Sequence, residues 1–302
     1  VSTWDSEPVW QFELGRTYAM LNDTAAAVAH LQQAVRLDTE YIDAHQLLAY
    51  TLEKDGQIAE ALQAFEKAVQ INPAEPGLMV QAGCLALQLD QPQKSAQWFE
   101  RAGSLGADSE AYHLGLARTL STLGDHTRAA EAVQAVIRKF PENTDALLLL
   151  SEIHRKEGKA EKALQALEKA AESMPESNSL AVERARLHIE TGQHEKALEL
   201  LEPLLDLNPE DENLWSLISL AHSAGKDLNK AMQAMTRAAR LAPRNHSFRT
   251  ELGILAFELG QLDRALDELD TAAELNPESS SIHMLRGDIF EARRQYPRAL
   301  EA

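Results

Sequence analysis

The sequence predicts an all-α chain, an α-solenoid of stacked, antiparallel helix pairs. Two observations carry that prediction. GQIAEALQAFEKAVQINP (56–73), GKAEKALQALEKAAESMP (158–175), GQHEKALELLEPLLDLNP (192–209) and GQLDRALDELDTAAELNP (260–277) each place Ala five residues after Gly and Pro twelve residues after that Ala, and their starts differ by multiples of 34 residues. Within each half of that interval, apolar residues recur at spacings of three and four, the pattern of an amphipathic helix.

Setting Pro73 as position 32 puts the starts of the registers at residues 8, 42, 76, 110, 144, 178, 212, 246 and 280, with no insertion anywhere. Residues 8–279 then hold eight full repeats. Residues 280–302 begin a ninth, and residues 1–7 match the tail of a preceding one. Position 8 is always small: Gly15, Ala49, Gly83, Ala117, Ser151, Ala185, Ser219, Gly253 and Gly287. Position 20 is Ala or Ser throughout, from Ala27 to Ala299, and position 24 is bulky (Leu31, Phe65, Phe99, Val133, Leu167, Leu201, Met235, Leu269). Small residues at 8 and 20 let the two helices of a pair approach closely.

The punctuation supports the same elements in order. Pro8 and Pro76 suit the first turn of helix A, where a missing N–H costs nothing. Gly56, Gly124, Gly158, Gly192 and Gly260 suit its C-terminus, which needs a left-handed backbone. Pro92 and Pro297 fall in the first turn of helix B, and Pro at position 32 ends that helix. Thr39 and Ala107 break the proline rule. Pro203 falls inside helix B of the sixth register, where a local kink near Glu199–Pro203 is expected. The chain ends on YPRALEA (296–302), the start of a helix B, so a longer parent protein is expected, with a capping helix beyond residue 302.

Small residues at 8 and 20, a large one at 24 and Pro at 32 resemble the tetratricopeptide repeat (TPR) family over residues 8–302. The resemblance implies a right-handed superhelix whose concave face is lined by helix A positions 2, 5, 9, 12 and 13. It also implies a protein-binding role. On that mapping the candidate groove residues are Phe12, Gln46, Val80, Leu114, Leu148 and Val182 at position 5. Position 9 adds Arg16, Tyr50, Cys84, Arg118, Arg186, Leu220 and Ile254, and position 12 adds Leu87, Arg155, Ile189 and Phe257. Aromatics, aliphatics and arginines interleave there, as at interfaces. Packing within a tight superhelix is the alternative reading of the apolar members. The family's carboxylate clamp, which uses Lys and Asn at positions 5 and 9, has no counterpart: position 9 carries no Asn and position 2 no Lys. Position 6 carries no asparagine ladder of the kind found in glycosyltransferase arms.

Little else points to chemistry. Of ten histidines, His154, His188 and His222 occupy position 11, and His45, His113 and His283 occupy position 4, where the family prefers aromatic rings. Stacked layers are roughly 10 Å apart, whereas zinc ligands lie about 2 Å from one centre. Packing, not metal binding, is the expectation for them. No HExxH, GxSxG, P-loop or paired-Cys motif is present, so no enzymatic activity and no cofactor are expected. A net charge of −18 disfavours nucleic acid and anionic membrane surfaces. Cys84 is the only cysteine, which fits a reducing compartment and also the bacterial periplasm. No apolar run is long enough for a membrane span. The expected function is a non-catalytic scaffold holding a peptide or protein segment in the groove, with arginines pairing to acidic groups or carbonyls. Two alternatives remain: an arm of a bacterial envelope machine (polysaccharide export, pilus or secretion, or protease adaptor), and a regulatory arm of a larger transferase. Self-association through the uncovered last helix A is a further expectation.

Overall fold

The computed structural model describes residues 7–296 and 298, and these form seventeen α-helices and no strand. They fall into two compact units, residues 1–158 and 159–302. The expected tail of a preceding repeat at 1–6, and Pro297 and Ala299–Ala302 of the ninth helix B, lie outside the described residues.

The first unit contains α1 (Pro8–Met20), α2 (Thr24–Leu37), α3 (Ile42–Lys54), α4 (Ile58–Ile71), α5 (Pro76–Gln88), α6 (Pro92–Ser104), α7 (Glu110–Thr122), α8 (His126–Lys139) and α9 (Thr144–Lys156). The second contains α10 (Ala160–Ser173), α11 (Asn178–Glu190), α12 (His194–Leu207), α13 (Glu212–Ala224), α14 (Leu228–Leu241), α15 (His246–Glu258), α16 (Leu262–Leu275) and α17 (Ser280–Ala292). Every odd-numbered helix starts on a residue that opens a 34-residue register. Within each unit, consecutive helices pack against one another.

The close approach inside a pair has a visible cause. A methyl group added to Gly15 would lie 2.6 Å from Leu31 Cγ and 3.2 Å from the Ala27 carbonyl oxygen. The same addition at Gly253 meets Leu269 at 2.6 Å and the Ala265 carbonyl at 3.3 Å. Position 8 therefore sits against positions 20 and 24 of its own register. At two seam serines the hydroxyl is spent on the opposing backbone: Ser95 Oγ donates to Gly83 O at 2.7 Å and Ser219 Oγ to Ala231 O at 2.8 Å. A buried hydroxyl bonded in this way escapes the penalty of an unsatisfied polar group.

The helix A to helix B turn is uniform. Residues at position 15 all have positive φ, not only Gly56 (79°), Gly124, Gly192 and Gly260 but also Asn22 (59°), Asp90 (56°), Lys226 (64°) and Arg294 (59°). The following N–H reaches back five residues, as in Gln57 N–H to Leu52 O (2.9 Å) and Asp227 N–H to His222 O (2.9 Å), closing a Schellman turn. At the next boundary, Ser109, Asn143, Ser177, Asp211 and Asn245 cap the following helix through their side chains. The helix containing Pro203 runs unbroken from His194 to Leu207. Pro203 and Glu199 are both exposed, so the carbonyl that loses its N–H partner lies on the solvent side.

Candidate interaction surface

Helices A of neighbouring registers touch inside each unit: α5 with α7 and α7 with α9 in the first, α11 with α13 and α15 with α17 in the second. At 3.6 residues per turn, positions 5, 9 and 12 share one side of helix A, whereas 4, 7 and 11 share another. The first side is where the candidate residues lie.

In the first unit this side carries a mixed surface. Phe12 packs on Tyr41 with ring centroids 5.1 Å apart, and the Arg16 guanidinium lies 6.0 Å from the Phe12 centroid while pairing with Glu13 at 2.5 Å. Tyr50 meets Phe65 edge-on at 5.0 Å yet stays 46% exposed, and burial raises its phenol pKa above the ordinary value. Gln46, Leu87, Leu114 and Leu148 are half-buried. Cys84 is half-buried too; burial pushes its thiol pKa up, the Glu53 carboxylate adds to this and the Arg118 guanidinium opposes it. Glu53, Cys84 and Arg118 come from three successive helices A. Arg118 and Arg155 are exposed and have no ion-pair partner among the described residues.

One candidate is corrected. Val80 is only 4% exposed and belongs to the same core cluster as Phe65, Met79 and Phe99, so it offers packing and no contact surface. Position 5 is not uniformly open, because neighbouring helices cover it to different extents. Glu53, at position 12, was absent from the sequence-derived set; no single-residue signal marked it, since carboxylates are abundant on every helix face.

In the second unit, Val182, Ile189 and Ile254 are half-buried, and Arg186, Leu220 (52% exposed) and Phe257 are exposed. Arg186 Nε lies 3.7 Å from Glu183, a long ion pair within one helix turn.

The histidines are structural in a specific way. The position-4 ring N–H donates to the position-32 carbonyl of the preceding register: His45 to Thr39 O at 3.1 Å, Trp215 to Pro209 O at 2.9 Å, His283 to Pro277 O at 2.9 Å. His113 instead bonds the Asp108 carboxylate at 2.8 Å, which Lys139 also contacts; together they lower the Asp108 pKa to about 2. His154 and His188 are buried at position 11, and burial lowers the His188 pKa. Among the described residues no group of three or more His, Cys, Asp or Glu is arranged to hold a metal ion. Among the described residues no helix is long and apolar enough to cross a membrane.

Comparison with known proteins agrees with this architecture. Three sequence profiles, each described as tetratricopeptide repeat, match residues 12–76 and 114–178, 154–221, and 218–289. The TPR repeat-containing protein YpiA of Bacillus subtilis (strain 168) is 26% identical over 163 residues, which are 53% of this chain and 38% of YpiA. The chain thus spans well under half of that relative. Among solved structures, the C-terminal part of a TPR repeat-containing protein from Cytophaga hutchinsonii superposes with a TM-score of 0.65 at 16% identity, over 78% of this chain and 96% of that one. A tetratricopeptide repeat protein from Parabacteroides merdae gives 0.60 at 15% identity, over 82% and 98%. YrrB, described as a TPR protein with an unusual peptide-binding site, gives 0.52 at 22% identity, over 57% and 88%. At these identities the structural likeness establishes the fold.

Proposed function

This chain belongs to the tetratricopeptide repeat family, and we propose that it is a non-catalytic scaffold that binds a peptide or protein segment across its helices A. The carrying observation is the surface of the first unit. Arg118 there is a guanidinium with no ion-pair partner among the described residues, and it shares its face with exposed Tyr50 and half-buried Leu114, Leu87 and Cys84. An unpaired Arg beside apolar anchors suits an extended segment, offering charge-assisted bonds to carbonyls or carboxylates and burial for side chains. The peptide-binding site named for YrrB supports the reading by analogy of fold.

The test uses peptides selected from a phage-displayed library on the intact protein. Tyr50→Ala and Arg118→Ala together should weaken the selected peptide at least tenfold, the equivalent of about 1.4 kcal/mol, while leaving the unfolding midpoint nearly unchanged. Cys84 provides an independent readout. Its alkylation by iodoacetamide should slow when peptide is bound. A double variant that binds as well as the parent, with unprotected Cys84, would place the interface elsewhere.

A further inference from the structure

The second unit has an outer cleft with a strongly basic wall. It is a space of about 390 Å³ between α13 and α14, walled by Trp215 and His222 on one side and Lys230, Thr236, Arg237 and Arg240 on the other. Ile218 and Ala234, both buried, form an apolar floor. These residues lie at positions 4, 7 and 11 of helix A and at 19, 23, 25, 26 and 29 of helix B, away from the 5, 9 and 12 side. Lys230, Arg237 and Arg240 are spaced by seven and three, so they stand in one stripe along α14.

Charge sets this cleft apart. Although the chain carries −18 overall, no acidic residue occurs between Asp227 and Glu251, and five cations do: Lys230, Arg237, Arg240, Arg244 and Arg249. At position 25 the second, third, fifth, sixth and eighth registers carry Glu66, Glu100, Glu168, Glu202 and Asp270; the seventh carries Thr236. Arg264 from α16 reaches that Thr236 hydroxyl at 3.4 Å and brings a fourth cation to the rim. Arg237 and Arg240 are exposed and have neither an ion pair nor a hydrogen-bonded side-chain partner among the described residues. Two carboxylates approach the rim. Asp227 pairs with Lys230 at 3.3 Å, and Glu202 acts on His222. The indole of Trp215 is held in place by its bond to Pro209 O.

We propose that this cleft is a second docking site, for an acidic peptide segment of a partner protein. Its carboxylates would be forked by Arg237 and Arg240, and an adjacent apolar side chain would rest on Trp215 and the floor beneath it. Arginine suits this role because its planar fork matches a carboxylate bidentately. A fixed indole and an apolar floor favour a peptide with an apolar residue over a bare anion. The acidic remainder of the chain opposes a long polyanion, because repulsion extends over a Debye length of about 8 Å at physiological ionic strength. A short acidic segment fits inside that limit.

The experiment measures anisotropy of a fluorescein-labelled octapeptide, Asp-Glu-Leu-Asp-Glu-Leu-Asp-Glu, against the whole chain at 50 and 300 mM NaCl. The expected result is saturable binding that weakens with salt, is lost at least tenfold in Arg237→Glu/Arg240→Glu, and survives in Lys67→Glu/Lys169→Glu. That control makes the same change in net charge at the equivalent position of the second and fifth registers. Circular dichroism checks that all variants keep their helix content. Absence of binding up to 200 μM, equal binding of a peptide with Asn and Gln in place of Asp and Glu, or equal loss in the two charge-reversed pairs would each overturn the proposal. Binding confined to a phosphoserine version of the peptide, or to phosphatidylserine vesicles, would overturn the carboxylate assignment.

Discussion

The cleft beside α4 and the cleft beside α14 occupy the same register positions and have the same volume, about 390 Å³ each, yet their chemistry differs. At positions 4, 11, 19, 25, 26 and 29 the first has His45, Leu52, Glu60, Glu66, Lys67 and Gln70. The second has Trp215, His222, Lys230, Thr236, Arg237 and Arg240. In the first, Lys94 from the next register neutralises Glu66 at 2.7 Å. In the second, two arginines are left without an ion pair. The seam and turn dictate the backbone, so the outer stripe of helix B is free to vary in charge without disturbing the pair. Shape is shared and affinity is local.

The two registers should respond alike, and most strongly, at the seam. Ala61 and Ala231 are both fully buried at position 20. Ala61→Leu and Ala231→Leu should each lower stability by about 1–3 kcal/mol through overpacking, read from urea unfolding midpoints. A large loss at one site and none at the other would mean that the two registers are not built alike.

A smaller effect, opposite in sign, is expected at position 15. Gly56 has φ of 79° and no atom within 4 Å of where a Cβ would go, while Lys226 holds φ of 64° with a full side chain. A left-handed backbone is costly for any residue with a Cβ. Lys226→Gly should therefore stabilise by roughly 0.5–1 kcal/mol and Gly56→Lys should destabilise by a similar amount. Equal unfolding midpoints for parent and both variants would show that the turn does not discriminate.

The smallest effect concerns position 11, where Leu52 faces one cleft and His222 the other. Burial lowers the His222 pKa below its ordinary value, and the Lys230 charge lowers it further. The unfolded chain therefore takes up this proton more readily than the folded one. The native state incurs no penalty above the unfolded pKa of about 6.5, and stability falls as pH drops through it toward the folded value. His222→Leu should flatten the decline in melting temperature between pH 7 and pH 5, with His188, also lowered by burial, supplying part of what remains. Parallel pH profiles for parent and variant would remove His222 from the account.

Much of this was legible in the sequence because the seam tolerates only small side chains, so positions 8 and 20 repeat visibly from Gly15 and Ala27 onward. The turn was legible where it holds Gly56 or Gly260. It was hidden at Lys226 and Arg294, because neither residue type signals a left-handed backbone; only the register gives them away. The candidate surface was partly legible. Helical spacing put Tyr50 and Arg118 on an open side, but the burial of Val80 depends on packing against residues of other helices, which spacing within one helix does not encode. The influence of Glu53 and Arg118 on Cys84 joins residues from three registers and requires the packed structure. The charge of the α14 cleft was present in the sequence all along, but it becomes meaningful only once Trp215 and Arg237 are seen to line one space.

The bond between a position-4 ring and the carbonyl three residues before its own helix pair begins has a consequence for how such a chain can grow. Its acceptor is main chain, supplied equally by Thr39, Pro209 and Pro277. The donor accepts substitution between histidine and tryptophan. A junction whose chemistry is indifferent to the side chain on one side, and permissive on the other, can be copied anywhere. Gene duplication or unequal crossing-over that adds or removes 34 codons would then lengthen or shorten the array without remaking such a joint, whereas one codon inserted between a ring and its carbonyl would break the bond at that joint.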